Sequence, residues 1–152
     1  MDRVVLSFDE VRLDGCRAFR GIFKFPAIKC VPGWTNNLAV YIVGMIALPL
    51  GDSFIMINTE AVERGTTGAR EAVVGVLQPP AREPSDARST ATMEEYFARV
   101  RDCLARQLPS DAEEFDRLLP HHPLSAVRRL QRHVLASAHV SPEMRGRALR
   151  PA

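Results

Sequence analysis

The sequence predicts an α+β fold: a mostly antiparallel N-terminal sheet of about five strands, followed by two or three C-terminal helices packed on one face of the sheet. Apolar residues recur in the first half of the chain with the two-residue period of strands, and beyond residue 92 with the period of helices. No helical period separates the early strands, so the alternation typical of a parallel, doubly wound sheet is missing. The 152 residues fit one domain, predicted over residues 1–152.

The first predicted hairpin lies within residues 4–26. Val4, Leu6 and Phe8 alternate with other side chains, which is the mark of a half-buried strand. The later run "AFRGIFKF" alternates more clearly, and Asp14–Gly15 between the two runs is a hairpin-type turn signal. Together these features predict two antiparallel strands.

Two strongly apolar runs, "LAVYIVGMIAL" and "SFIMINT", predict a second hairpin. The first run is apolar on both faces and rich in Val and Ile, which is typical of a central strand covered on both sides. A third run, "EAVVGVL" at residues 71–77, follows a Gly-containing turn. It is predicted to be a further strand, with a short helix as the alternative.

The second half of the chain predicts helices. Residues 78–92 contain three prolines and no apolar residue larger than alanine, so they are predicted to be a mobile loop. Capping boxes beginning at Thr92 and Ser110 predict two helix starts, and Pro123 suits the first turn of a third helix. Residues 141–152 are predicted to form a short turn and a frayed basic tail. The buried face predicted for the third helix comprises Leu124, Val127, Leu130, Val134, Leu135 and Ala138.

Composition argues against several classes of function. The net charge is only +2, which gives the chain no strong bias towards nucleic acid or a membrane surface. The longest apolar run, Leu38–Leu50, is too short to span a bilayer, so no membrane span is predicted. No secretory signal is visible, and the three cysteines form no close pair. The sequence therefore predicts a cytoplasmic protein with reduced thiols.

The triplet Gly51–Asp52–Ser53 resembles the start of the active site of GDSL-type esterases and lipases, in which the serine is the nucleophile. A nucleophilic serine needs an oriented histidine, yet neither Gly-x-Asn-Asp nor Asp-x-x-His occurs in this chain. The residues that follow, "FIMINT", have a strand pattern instead of a helix start. Because Gly and Asp are what a tight turn between strands requires, the triplet is predicted to be a turn. A small serine hydrolase that uses Ser53 is the alternative.

No metal site or cofactor is predicted. His133 and His139 are six residues apart, whereas ligands on one helix face are three or four apart. No Gly-rich phosphate loop of the GxxxxGK[ST] type occurs either.

The segments "FKFPAIKCVPGW" and "EEYFARVRDCLARQLP" are similar to small α+β proteins of the PsbP-like and DcrB-like group. Those proteins carry a Pro-Gly-Trp-like entrance to the sheet and a helix of this kind, and some of them act as chaperones. The chain departs from the group's pattern at residues 109–123, which are predicted to be helical where the group has strands. The resemblance implies a binding role of the chaperone type.

These observations predict a small binding protein without catalytic activity: an adaptor, a chaperone-like protein or a subunit of a larger complex. From residue 125 onward, six arginines against Glu143 give a charge of +5, while residues 61–124 carry −3. Arg128, Arg129 and Arg132 are predicted to form a basic patch that binds an acidic protein or another copy of this chain. A solvated helix face is the alternative. Trp34 is a further predicted contact residue, with a place in the core as its alternative.

Overall fold

A computed structural model describes residues 3–78, 92 and 106–148. Four antiparallel strands form a single sheet in the order β1–β2–β3–β4. The strands are β1 (Val4–Leu13), β2 (Cys16–Pro26), β3 (Val40–Leu50) and β4 (Ser53–Val62). The helices are α1 (Ala27–Cys30), α2 (Ala69–Leu77), α3 (Pro123–Ser137) and α4 (Pro142–Arg147), and two 3-10 helices lie at Pro109–Asp111 and Glu113–Arg117. The predicted α+β class is confirmed, with four strands instead of about five.

Both predicted hairpins are confirmed, and turn chemistry explains each of them. Asp14 and Gly15 join β1 to β2 with φ angles of 48° and 81°, a left-handed conformation that Gly and Asp adopt more readily than other residues. Gly51, with φ at 69°, makes the corresponding turn between β3 and β4. Leu50 pairs directly with Ser53, so the loop of this second hairpin has only two residues.

The prediction of a fifth strand at residues 71–77 is wrong, because these residues form most of α2. Gly68 has φ at 74° and places the chain at the start of the helix. The helix buries Arg70 and Val74, which are four residues apart and therefore lie on one face. The other apolar side chains of residues 71–77, among them Val76 and Leu77, are exposed. This run therefore lacks the two buried faces of a central strand.

One face of the sheet carries the core. The residues of β3 alternate from Val40 to Leu50 between buried and half-buried, so this strand is fully covered on one face only. The predicted coverage on both sides is therefore not observed. Helix α3 packs on the covered face, where its residues Leu124 and Val127 join Ile22 and Ile42.

The buried face of α3 differs from the predicted one. Leu130 is 46% exposed, Ser125 and Gln131 are buried instead, and Val134, Leu135 and Ala138 are only half-buried. The amide nitrogen of Gln131 donates hydrogen bonds to the backbone carbonyls of Gly21 (3.0 Å) and Met45 (3.2 Å). The polar side chain is therefore accommodated because it binds sheet carbonyls.

Gly44→Ala should lower the free energy of unfolding by about 1–3 kcal/mol, because it overpacks the contact between β3 and α3. An added Cβ atom would lie 2.5 Å from Val127 Cγ1 and 2.8 Å from Gln131 Nε2, and closer still to Thr59 Oγ1. Gly75→Ala is the matched control, since nothing lies within 4 Å of its Cβ position on α2. That change should raise stability by about 0.5–1 kcal/mol. Urea melts in which both variants shift the same way would contradict this account of the packing.

The other predicted helix starts have different outcomes. The helix predicted to start at Thr92 falls on residues 93–105, which lie outside the described residues; of its start only Thr92 is described. Ser110 lies inside the first 3-10 helix, so it is not the N-cap that its capping box predicted. Pro123 is the first residue of α3, as predicted. The last predicted turn is α4, in which Ser141 Oγ caps the helix by accepting from the backbone of Met144.

Helix α4 is held against the first hairpin. Arg145 forms an ion pair with Asp14 at 2.6 Å and also donates to the Asp14 carbonyl at 2.8 Å. The Asp14 carboxylate accepts a further hydrogen bond from the backbone N–H of Val140. This bond and the nearby guanidinium of Arg145 lower the pKa of Asp14 despite some desolvation. The first part of the predicted basic tail is therefore a helix fastened to the turn of the first hairpin.

Candidate functional site

Ser53 is the first residue of β4 and is exposed to solvent. Its hydroxyl lies 3.4 Å from the carbonyl oxygen of Leu50, to which it donates, and 3.4 Å from Nη2 of Arg147, from which it accepts. In the part of the chain that the structure describes, neither of these partners is a histidine that could act as a general base. The triplet is the turn of the second hairpin, as predicted, and no helix starts after Ser53.

The three arginines of the predicted basic patch have different surroundings. Arg128 is largely buried and pairs with Asp116 at 3.1 Å. Arg129 is exposed and donates to the carbonyl of Pro120, whereas Arg132 pairs with Glu113 on the surface. Each of the three guanidinium groups therefore has at least one partner within the chain itself. A docking role for the patch stays a prediction.

Trp34 lies in the loop between α1 and β3 and is half-buried. The guanidinium of Arg64 lies over its indole ring, 5.9 Å from the ring centroid, in the range of a cation–π contact. The ring therefore packs against the chain's own surface, and its predicted role in binding a partner stays a prediction.

Charged side chains from five elements meet in the interior, in what we call the buried ionic cluster: Lys24, Arg70, Asp111, Asp116 and Arg128. Lys24 of β2 pairs with Asp111 at 2.5 Å, and both side chains are almost fully buried. Arg70 of α2 has no exposed side-chain surface and pairs with Asp116 at 2.9 Å. Because Asp111 and Asp116 lie on the 3-10 helices, the cluster fastens that segment to β2, α2 and α3.

Arg70 has hydrogen-bond partners around its whole guanidinium. It donates to the carbonyls of Ser110 and Ala112 and to the hydroxyl of Ser125, in addition to Asp116. Burying a charge is costly unless it is paired and hydrogen-bonded, and here both conditions are met. These contacts explain the cluster as a structural feature of the interior.

A histidine and a glutamate lie near the cluster. His122 Nδ1 accepts a hydrogen bond from the backbone of Leu124 and so caps α3, while its Nε2 lies 3.9 Å from Glu63 Oε1. Burial and then the charge of Arg70 lower the pKa of His122 to about 4. Burial raises the pKa of Glu63, although backbone hydrogen bonds from Gly68 and Val40 oppose that shift. The imidazole is therefore neutral at pH 7 and serves as a helix cap.

A cleft of about 700 Å³ lies at one end of the sheet and is lined by Arg3, Phe25, Lys29, Cys30, Tyr41 and Val43. Burial raises the pKa of the Cys30 thiol against the opposing effect of Lys29. Burial and a hydrogen bond to Glu60 raise the pKa of Tyr41 to about 12. Both groups therefore stay protonated at neutral pH, which disfavours a nucleophilic role.

Among residues 3–78, 92 and 106–148, no group of three His, Cys, Asp or Glu side chains could hold a metal ion. Across the same residues, no helix has the length and apolar character needed to cross a membrane.

The face of the sheet opposite α3 is rich in large apolar side chains. Register places Phe19 opposite Ala47, Phe23 opposite Val43 and Phe25 opposite Tyr41 on this face. Phe8 of β1 stacks on Phe19 with ring centroids 6.1 Å apart. All of these aromatic side chains are half-buried or exposed, so this face keeps apolar surface in contact with solvent.

Large apolar side chains are also exposed on β4, which forms one edge of the sheet. Phe54 is 62% exposed, Ile55 37% and Met56 44%. Phe54 and Met56 lie on the face opposite α3, and Ile55 lies on the other face because successive strand residues alternate. Residues 53–59, "SFIMINT", contain no charge and no proline. We call this uncharged stretch the β4 edge.

The backbone of the β4 edge has groups that point away from the sheet. Glu63 N–H bonds to the carbonyl of Val40 at 2.9 Å, and the pairing of β3 with β4 runs without a shift in register. Because bonding alternates along an antiparallel pair, odd-numbered residues of β4 bond to β3. Phe54, Met56 and Asn58 therefore direct their N–H and C=O groups outward.

The opposite edge of the sheet, β1, is protected. A register shift between Val5 and Ser7 interrupts its pairing with β2. Asp9 and Glu10 form ion pairs with Arg20 and Arg17, at 3.0 Å and 2.9 Å. Bulges and charged side chains are the devices by which natural sheets prevent pairing at an edge. The β4 edge has neither of them within residues 53–59.

Within the described residues, the fold is α+β, and one edge of its sheet carries a bulge and charged side chains whereas the β4 edge carries neither. The chain matches no protein-family model, and no curated protein or solved structure is significantly similar to it. The local similarity to PsbP-like and DcrB-like proteins is thus not accompanied by a family match.

The run "SFIMINT" is predicted from the sequence to be a strand but not a candidate site. A signal was present in the sequence, because seven uncharged residues between Asp52 and Glu60 contrast with the charges of residues 9–12. The contrast points to a binding edge only when the strand order is known, because that order shows that both segments lie at edges of the sheet.

Proposed function

We propose that this protein is a non-catalytic protein-binding module that binds its partner along the β4 edge. The observation that carries the proposal is the contrast between the two edges of one sheet. Edge strands invite pairing with other chains, and β1 is protected against it by a bulge and by charges. The β4 edge keeps exposed apolar side chains and outward-directed backbone groups, so it is suited to binding.

Binding by strand addition uses both features of the β4 edge. Backbone hydrogen bonds to Phe54, Met56 and Asn58 would supply affinity, and side chains on the two faces would supply specificity. Full burial of a Phe or Met side chain contributes about 1.5–3 kcal/mol. Phe54 is 62% exposed and Met56 44%, so both side chains have substantial apolar surface that a partner could bury.

A photo-crosslinking amino acid placed at position 54 tests the proposal in cells that express the chain. We expect irradiation to join position 54 covalently to another protein chain. Phe8 and Leu118 are matched control positions, because they are 57% and 58% exposed and lie outside the β4 edge. Position 54 must give adducts that neither control position gives.

A backbone variant separates strand addition from adhesion by an apolar surface. Met56→Pro removes one outward N–H group, and proline is tolerated in an edge strand at such a position. The adducts at position 54 should disappear in this variant and persist with Met56→Leu. Equal adducts at all three positions, or adducts that survive Met56→Pro, would contradict the proposal.

A further inference from the structure

Resting on the proposed function, we infer that the partner at the β4 edge is a second copy of this chain. The two β4 strands pair antiparallel about a two-fold axis and form one continuous sheet of eight strands, four from each copy. This arrangement closes after two copies. Pairing of β4 with β1 of another copy would instead continue without limit into a filament. The bulge and the charges of β1 oppose that second arrangement.

The residues of the β4 edge select one register. When the axis passes through Ile55, Phe54 lies opposite the partner's Met56, and Ile55 lies opposite the partner's Ile55. Aromatic and aliphatic cross-strand pairs of this kind stabilise a sheet. Asp52 then lies opposite the partner's Asn58, so no like charges oppose one another. In this register Phe54 pairs with the partner's Met56. The backbone N–H and C=O groups of both residues point away from β3, so the two β4 strands can exchange hydrogen bonds.

The neighbouring registers are less favourable. An axis through Met56 places Asp52 opposite the partner's Glu60, and like charges in direct opposition destabilise a strand pair. An axis through Ile57 places Phe54 opposite the partner's Glu60, which exchanges an apolar pair for a mismatched one. An axis through Phe54 places Asp52 opposite the partner's Met56. The register centred on Ile55 is therefore the one we propose.

Disulfide trapping measures this register directly. We start from the chain with Cys30→Ser and Cys103→Ser, keeping the buried Cys16. With Ile55→Cys added, the two new thiols meet across the axis, where facing Cα atoms are about 4.5 Å apart in a non-hydrogen-bonded pair. That separation allows a disulfide. Mild oxidation should convert most of this variant to a covalent dimer on a non-reducing gel.

Ile57→Cys in the same background is the control, because it lies on the same face and strand. In the proposed register its two copies are offset by four residues, or about 13 Å along the strands, which is too far for a disulfide. Equal dimer formation by both variants, or preferential dimer formation at position 57, would overturn the inference. The otherwise unmodified chain should sediment as a dimer, and Met56→Pro should shift it to monomer.

The outcomes separate the partner from the binding mode. A monomeric chain that gives no dimer with Ile55→Cys, but still crosslinks from position 54 to a different protein, overturns self-pairing and leaves the binding module standing. A monomeric chain with no crosslink at position 54 overturns both. A covalent dimer that forms only with Ile55→Cys supports both.

Discussion

Arg70→Met should lower the free energy of unfolding by about 3–5 kcal/mol, the cost of removing one partner from a buried ion pair. The loss is large because Arg70 is fully buried and its guanidinium binds the carboxylate of Asp116, the hydroxyl of Ser125 and two backbone carbonyls. Methionine fills a similar volume but donates no hydrogen bond, so the buried carbonyls of Ser110 and Ala112 would lose this donor, and Asp116 would keep only Arg128 and Ser125 as partners. Urea denaturation followed by circular dichroism measures the change.

Arg129→Met provides the matched control for this prediction. Arg129 is exposed and donates to the carbonyl of Pro120, so its replacement should change stability by less than about 0.5 kcal/mol. An Arg70→Met protein as stable as the Arg129→Met protein would show that the buried ionic cluster contributes nothing to the fold.

Much of the fold is predictable because the determining interactions are local. Asp14–Gly15 and Gly51–Asp52 specify their turns through backbone conformations that few other residues adopt, and the flanking runs alternate or are strongly apolar. Residues 71–77 are different, because a short apolar run fits either a strand or a helix. In the folded chain these residues form a helix that buries Arg70 among partners at least 40 residues away in the sequence. No local sequence pattern encodes such distant contacts.

The candidate site is less predictable because its features depend on topology. Arg128 looks like a solvated residue beside Arg129, yet it pairs with Asp116, twelve residues earlier, and binds the Asp111 carbonyl. That contact depends on the path of the chain through the two 3-10 helices, and the helical period of apolar residues in the sequence does not predict that path. The position of β4 at an edge of the sheet likewise depends on the strand order, and the prediction of two hairpins does not determine that order.

Acidification should destabilise the protein between about pH 6.5 and pH 4, before most carboxylates titrate. His122 has a pKa of about 4 in the folded chain, against 6.5 for a free histidine. Within this window the unfolded chain binds a proton that the folded chain does not, so stability falls as the pH falls. A lowering of this size corresponds to about 3 kcal/mol at the acid end. The raised pKa of Glu63 acts in the opposite direction above pH 4.5, because its protonation favours the folded chain, and so reduces the net loss.

His122→Asn isolates the contribution of the histidine to this pH dependence. Asparagine keeps a side-chain acceptor at the N-cap of α3, where His122 accepts from the backbone of Leu124 at 3.2 Å, but it does not titrate. The variant should therefore keep its stability between pH 6.5 and pH 4, or gain slightly as Glu63 takes up a proton. His121→Asn, which changes the exposed neighbour, should retain the fall seen in the unmodified chain. Urea melts at half-unit pH steps give the slopes, and an unchanged acid loss in His122→Asn would place the responsible proton on another group.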